Sequence, residues 1–329
     1  MLEKTGMTHS NPPILLIGGP TASGKSRLAL AVAEEFRGTV INADSMQIYR
    51  DLAVLTARPG AAELDRVPHR LFGVLDASEL CSAARWLALA EAEIDAAARE
   101  GRLPIVVGGT GLYLKALLKG LAPVPEIPEE IRRAARALHK GLGGARFHAA
   151  LAERDPGAAA RLHPRDRQRL IRAYEVAAAT GRSLMDWQRA EVRATRPGVA
   201  AILLLPPRAS LYAAIDARFA AMASGGALKE VSAIMARHLS PDLPALKAVG
   251  VPELARHLHG EIPLGVAISE AQQASRRYAK RQMTWLRTQM PPSVELPTYT
   301  VSAQYSESLL PEIFSFIRHF LLTTSPQAV

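Results

Sequence analysis

The chain has 329 residues, 48 % hydrophobic and 22 % charged, enough for two domains or for one domain with a large insertion and a substantial core. Its single cysteine, Cys81, excludes an internal disulfide framework and a cysteine-ligated zinc site. Lys and Arg outnumber Asp and Glu by 40 to 31, a formal charge of +9, which favours a polyanionic partner but says nothing of fold. No apolar run approaches the ~20 residues of a membrane span, and the N-terminus lacks the pattern of a secretory leader, so a cytoplasmic protein with no membrane partner is expected.

In chain order, residues 1–12 read as a tail. Ile14 to Ile17 form a short buried strand. It runs into Gly19-Pro20-Thr21-Ala22-Ser23-Gly24-Lys25-Ser26, which fits G-x-x-x-x-G-K-[ST]. A helix follows, with Leu28, Ala29, Val32, Ala33 and Phe36 on one face. Strand, glycine-rich loop and helix are the context in which backbone N–H groups and a helix N-terminus cradle phosphate. Lys25 is placed for the outer phosphate and the Ser26 hydroxyl for Mg²⁺. Taken alone, the loop indicates nucleotide binding, ATP first.

A second strand, Thr39 to Asn42, leads to Asp44. That carboxylate therefore lies at the edge of an α/β sheet where ligands bind. It could hold Mg²⁺, act as a general base, or cap a short helix over Met46–Tyr49. Residues 51–70 read as a loop with a short helical piece, Leu71–Val74 as a short strand and Ser82–Glu100 as a helix closed by Gly101. Leu103–Val107 is a continuous apolar strand running into Gly108-Gly109-Thr110-Gly111. The alternation predicts a phosphate-loop α/β fold, a parallel sheet flanked by helices. A hydrolase of this class usually ends an apolar strand in a Mg²⁺-binding Asp. Here that strand ends in Gly-Gly-Thr, which weakens an ATP-hydrolysis reading and leaves Asp44 free for a base role.

Residues 120–128 are proline-rich and mark a boundary. Everything from 129 to about 195 has a helical pattern. Residues 123–198 carry 15 basic and nine acidic side chains, a net of +6, as expected of an insert that meets phosphate backbone. Arg165, Arg169 and Arg172 share one helix face there, which would equally suit a solvated surface. Ala200–Leu205 returns to the sheet. Helices follow at Ser210–Ala223, bearing Arg218, and at Leu228–His238. An arginine on such a helix could clamp a leaving pyrophosphate or form a surface ion pair. The turn around Lys247 enters another helix. Ser269–Met290 is the longest helix, with Arg276, Arg277, Lys280, Arg281, Thr284 and Arg287 on one face and an apolar opposite face. A short strand at Val294–Leu296, a helix at Ser308–Leu322 and a tail at 323–329 complete the chain. The domain expectation is thus an all-helical insertion domain at 123–198 within a discontinuous core of 13–122 and 199–322.

Together these motifs closely resemble bacterial tRNA dimethylallyltransferase, also called tRNA isopentenyltransferase. The matching stretches are GPTASGKS at 19–26, NADSMQIY at 42–49, PHRL at 68–71, VGGTGLY at 107–113, DRQRLIRAYEV at 166–176 and YAKRQMTWLR at 278–287. The resemblance implies transfer of the dimethylallyl group from dimethylallyl pyrophosphate to N6 of the adenosine at tRNA position 37, beside the anticodon. It implies Asp44 as general base, with Thr110 and Arg218 completing the catalytic group. Gly19 to Ser26 would hold pyrophosphate, with Mg²⁺ on Ser26. Ser45, Met46, Gln47, Gln168, Arg169, Leu170, Ile171, Arg172 and Lys247 would contact tRNA, joined by the basic face at Arg276, Lys280 and Arg281. A monomer is expected. The chain departs from the family's GTAKP with Leu55-Thr56-Ala57-Arg58-Pro59, and from its VGY-[RK]-[EQ] turn with Val249-Gly250-Val251-Pro252-Glu253. The alternatives are an adenylate isopentenyltransferase using free nucleotide, which needs no basic insert, and a phosphate-loop small-molecule kinase, which needs a strand-terminal Asp.

Overall fold

The computed structural model describes residues 12–189 and 195–324. The tail expected at 1–12, apart from its last residue, the end of the tail at 325–329, and Arg193 lie outside the described residues. Among those described, six parallel strands form one sheet: β1 (Ile14–Gly18), β2 (Gly38–Asn42), β3 (His69–Arg70), β4 (Leu103–Gly108), β5 (Val199–Leu204) and β6 (Thr298–Val301), in the order β3-β2-β4-β1-β5-β6. The order runs outward in both directions from the centre, so the loops after β1, β2 and β4 converge at one edge.

Successive side chains of a strand point to opposite faces, and here both faces are apolar. Ile14 and Leu16 of β1, with Val106 of β4 and Ala201 and Leu203 of β5, belong to one core; Leu15 and Ile17, with Ile105, Val107 and Ile202, belong to the other. The connecting helices begin with α1 (Lys25–Glu35), the short α2 (Ala61–Leu64), α3 (Ala83–Arg99) and α4 (Gly111–Lys119). A second group is α5 (Glu129–Arg154), α6 (Pro156–Ala159), α7 (Arg167–Thr180) and α8 (Leu184–Arg189); a third is α9 (Arg208–Met222), α10 (Leu228–Met235), α11 (Val251–Leu258), α12 (Leu264–Gln289) and α13 (Leu310–Thr324). Residues of α3, α4, α9 and α12 cover the first face, through Trp86, Leu114, Phe219 and Leu286 among others. Residues of α1 and α13 cover the second, through Leu28, Val32, Ile313 and Ile317.

The chain divides into two compact units, Met1–Leu118 with Thr195–Val329, and Lys119–Ala194. The second unit is helical and has its own core of Phe147, Leu151, Leu170 and Ala173.

Several local expectations are corrected. The third strand is His69–Arg70 and not Leu71–Val74, because Leu71 and Gly73 both take positive φ (63° and 64°) and turn the chain out of the sheet. The last strand is Thr298–Val301, paired with β5, while Val294 is fully exposed. Its Thr-Tyr-Thr-Val sequence suits a strand by β-branching more than by hydrophobicity. No helix forms at Met46–Tyr49, where the backbone makes turns. Helix α12 starts at Leu264, behind Pro263, five residues earlier than its apolar pattern indicates.

Candidate active site

The phosphate loop takes its shape from two left-handed residues, Ala22 (φ 63°) and Gly24 (φ 90°). Glycine is required at 24 for a second reason: a Cβ there would lie 2.6 Å from the Cβ of Tyr305, which covers the loop. Gln304 also reaches the loop, donating from Nε2 to the Ala22 carbonyl at 2.7 Å. Lys25 is buried, and its Nζ donates to the Pro20 carbonyl at 3.3 Å. Burial brings its pKa down to about 8; Asp44 acts against that fall and Arg218 adds to it. The Ser23 hydroxyl is fully buried without a hydrogen-bond partner in the protein. A buried, unsatisfied hydroxyl beside a poised lysine is the arrangement expected of a cradle whose partner is an anion.

Asp44 follows β2, and its position is built by a side chain that sequence reasoning missed. Asn42 is fully buried: its Oδ1 accepts from the Asp44 amide at 2.8 Å, and its Nδ2 donates to the carbonyls of Asp44 and Leu71, both at 3.0 Å. The Asn42 carbonyl in turn accepts from the Trp86 indole at 2.8 Å. Asp44 Oδ1 accepts from the Met46 amide at 2.9 Å. The carboxylate thus caps a turn and not the helix that the capping alternative supposed, and it also lines a pocket.

Thr110 joins the loops after β2 and β4. Its Oγ1 accepts from the Ser45 amide at 2.9 Å and donates to Ser45 Oγ at 3.3 Å, while its own amide donates to the Ala43 carbonyl at 3.3 Å. Arg218 comes from α9 and donates from Nη2 to Thr21 Oγ1. Arg218 is half-buried; desolvation lowers its pKa, while Asp44 opposes that shift. Arg218 thus meets the phosphate loop through Thr21.

Two residues of α12 complete the site. Gln282 is buried; its Oε1 accepts from the Thr21 amide at 2.8 Å and its Nε2 donates to the Gly109 carbonyl at 3.0 Å. A Cβ on Gly109 would come within 2.2 Å of that Nε2, so glycine is needed there for close approach. Tyr278 lies near Thr110 and Gln282, and burial and then Asp44 push its pKa upward. Thr21, Asp44, Arg218, Ser275 and Tyr278 form the polar side of one pocket, and Met46, Leu55, Ile215, Phe219, Met222, Ala248 and Val249 the apolar side. Both Gln282 and Tyr278 fall in the YAKRQMTWLR stretch, but helix periodicity alone places them on the packing side with Met283 and Leu286.

The remaining expected binding residues divide by environment. Gln47 is mostly buried and donates to the Thr56 carbonyl at 2.9 Å. Arg276 forms an ion pair with Asp216, whereas Arg277, Lys280 and Arg281 are exposed on the same helix. Lys247 is exposed and donates to the Asp242 carbonyl at 2.7 Å. In the helical unit Arg169 and Gln168 are exposed and Arg172 is half-buried; Arg169 pairs with Asp166 and Arg172 with Glu175. Leu170 is fully buried in that unit's core, with Ile171 packed against it; Leu170 can shape a surface there but cannot touch a polyanion.

A parallel sheet with a phosphate loop, an adjacent strand-end carboxylate and an arginine returning to the loop defines a phosphate-loop α/β protein, with one pocket lined by the loop's Thr21, Asp44, Arg218 and apolar side chains. The IPP transferase family model matches residues 47–289, and an isopentenyl transferase model matches residues 12–79. The chain belongs to the tRNA dimethylallyltransferase (IPP transferase) family. It is 56 % identical over 313 residues to the tRNA dimethylallyltransferase of Rhodospirillum rubrum, covering 94 % of this chain and 96 % of that one. It is 52 % identical over 318 residues to that of Paramagnetospirillum magneticum, covering 96 % and 99 %. Among solved structures, the tRNA isopentenylpyrophosphate transferase of Bacillus halodurans superposes with a TM-score of 0.68 at 32 % identity, covering 95 % of this chain and 98 % of that one. A eukaryotic dimethylallyltransferase acting on tRNA shares the fold with a TM-score of 0.81 at 24 % identity, covering 97 % and 81 %.

Proposed function

We propose that the chain joins the dimethylallyl group of dimethylallyl pyrophosphate to N6 of adenosine 37 in tRNA, with Asp44 as general base. As a member of its family, the chain is an enzyme that transfers a dimethylallyl group to a tRNA adenosine near the anticodon. In the proposed step a bond forms between N6 and C1 of the donor, the C1–O bond breaks, and pyrophosphate leaves. The N6 proton passes to Asp44. An exocyclic amine is a weak nucleophile, so a carboxylate placed for its proton acts mainly in the transition state. Charge grows on the departing pyrophosphate, where Lys25, Arg218 and the loop amides can offset it. The apolar side of the pocket takes the hydrocarbon.

Magnesium fits this donor set in one way. Among the described residues no cluster of three His, Cys, Asp or Glu side chains could hold a metal, but Mg²⁺ typically takes few protein ligands and completes its shell with phosphate oxygens and water. The Ser26 hydroxyl, exposed in the first turn of α1, would hold it against the pyrophosphate, where it would neutralise leaving-group charge.

The adenosine must leave its stack to reach the pocket. The exposed Arg277, Lys280 and Arg281, and the arginines of the helical unit, are suited to hold phosphate backbone while it does so. Among the described residues no helix is long and apolar enough to cross a membrane. The observation that carries this reading is the presence of Asp44, Arg218 and an apolar wall around one pocket. Labelled dimethylallyl pyrophosphate, offered with tRNA, with AMP or alone, tests it: label should enter tRNA. Transfer to AMP but not to tRNA would overturn it.

A further inference from the structure

The apolar side of the pocket has a wall with an unusual degree of support. Leu55 and Phe219 line it, both nearly buried. The two side chains converge on Gly250: a Cβ there would lie 2.8 Å from Leu55 Cδ2 and 3.0 Å from Phe219 Cε2. Leu55 is held by its backbone as well as by packing. The Glu230 carboxylate of α10 accepts from the amides of Val54 and Leu55, at 2.7 and 3.0 Å. The next residue is tied too, because Gln47 Nε2 donates to the Thr56 carbonyl at 2.9 Å. A hydrocarbon seated in the pocket that Thr21 and Arg218 also line would therefore share it with a leucine whose backbone is held in place.

From this geometry we infer that Leu55, braced by Glu230 and backed by Phe219, sets the length limit of the donor hydrocarbon, admitting a five-carbon chain and rejecting a ten-carbon one. The inference rests on the reading that the pocket binds an allylic diphosphate. A wall of fixed side chains discriminates by collision with the longer chain, and a close-packed interior does not yield cheaply to extra methylenes. Trimming the wall removes the collision and leaves the phosphate cradle, 19–26 with Arg218, untouched.

The test is donor binding in the absence of tRNA, by calorimetry, with dimethylallyl and geranyl diphosphates as probes. The proteins are wild type, Leu55→Ala and the milder Leu55→Val. Wild type should prefer dimethylallyl diphosphate by at least ~10-fold, the scale on which apolar pockets discriminate. Leu55→Ala should bind geranyl diphosphate ~10-fold or more tighter than wild type does, so that the preference for dimethylallyl diphosphate shrinks by at least that factor. Leu55→Val should fall between, and serves if the alanine variant does not fold. Equal wild-type affinity for both diphosphates, or geranyl affinity unmoved in the folded variants, would overturn the inference. Failure of wild type to bind either diphosphate would instead count against the donor assignment itself.

Discussion

Gln282 and Thr21 lie 261 positions apart, yet the Gln282 side chain accepts the Thr21 amide at 2.8 Å and donates to the Gly109 carbonyl at 3.0 Å. One amide side chain from α12 therefore ties the phosphate loop to the turn after β4. The same helix carries Arg277, Lys280 and Arg281 on its exposed side, so the element proposed to meet a polyanion also braces the phosphate loop. Gln282→Leu leaves the Thr21 amide and the Gly109 carbonyl buried without their partner. A stability loss of ~1–3 kcal/mol is expected, together with a fall in kcat larger than the rise in KM for tRNA. Thermal melting and steady-state kinetics check this. A change confined to melting temperature would make the bridge purely structural.

Asp44→Asn retains an oxygen to accept from the Met46 amide, so the turn should persist while the basic group is lost. Transfer should slow by ~10²-fold or more, with tRNA affinity unchanged. Single-turnover transfer and filter binding measure the two separately. A variant with wild-type turnover would remove the base assignment.

Lys25 links binding to pH. With its folded pKa near 8, the free site holds its full charge at pH 7 and loses it above pH 8. Affinity for the diphosphate should accordingly weaken from about pH 8 upward, and the trend should vanish in Lys25→Met. The stability effect has the opposite sense. Between pH 8 and the ordinary lysine value of ~10.4, the unfolded chain binds more protons than the folded one, so stability rises with pH across that window and the buried charge is a cost below it. Lys25→Met should raise stability at pH 7, by up to ~3 kcal/mol, while impairing donor binding. Calorimetric titration from pH 7 to 9.5 and melting curves check both signs.

The basic face of α12 can be dissected by pairing. Arg276 is engaged with Asp216, whereas Arg277, Lys280 and Arg281 are exposed. Replacing those three by alanine should weaken tRNA binding at all sequences and lower the log–log salt slope by about 2. Arg276→Ala should move the slope less and cost stability instead, since Asp216 loses its partner. Binding isotherms at several salt concentrations distinguish the two, and an unaltered slope in the triple variant would show that this face does not meet phosphate.

Much of this molecule is determined locally. The phosphate loop is legible because its glycines, lysine and serine must be adjacent in sequence to wrap one anion, and the buried strands are legible because parallel strands covered on both faces are apolar throughout. Asp44 is legible as a strand-end acid for the same reason of adjacency. The short edge strand at His69–Arg70 and the polar strand at Thr298–Val301 are not, since what makes them strands is a neighbour in the sheet and not their own hydrophobic pattern. The partners of Asp44 and Thr21 were decided only by tertiary structure. Asn42 looks like an ordinary strand terminus, Gln282 and Tyr278 look like the packing side of an amphipathic helix, and Arg218 admits a surface ion pair as readily as a clamp. Only the winding of the sheet brings α9 and α12 over the loops after β1, β2 and β4. There, burial turns those side chains into hydrogen-bond partners, because a polar group withdrawn from water must find one in the protein or in a ligand.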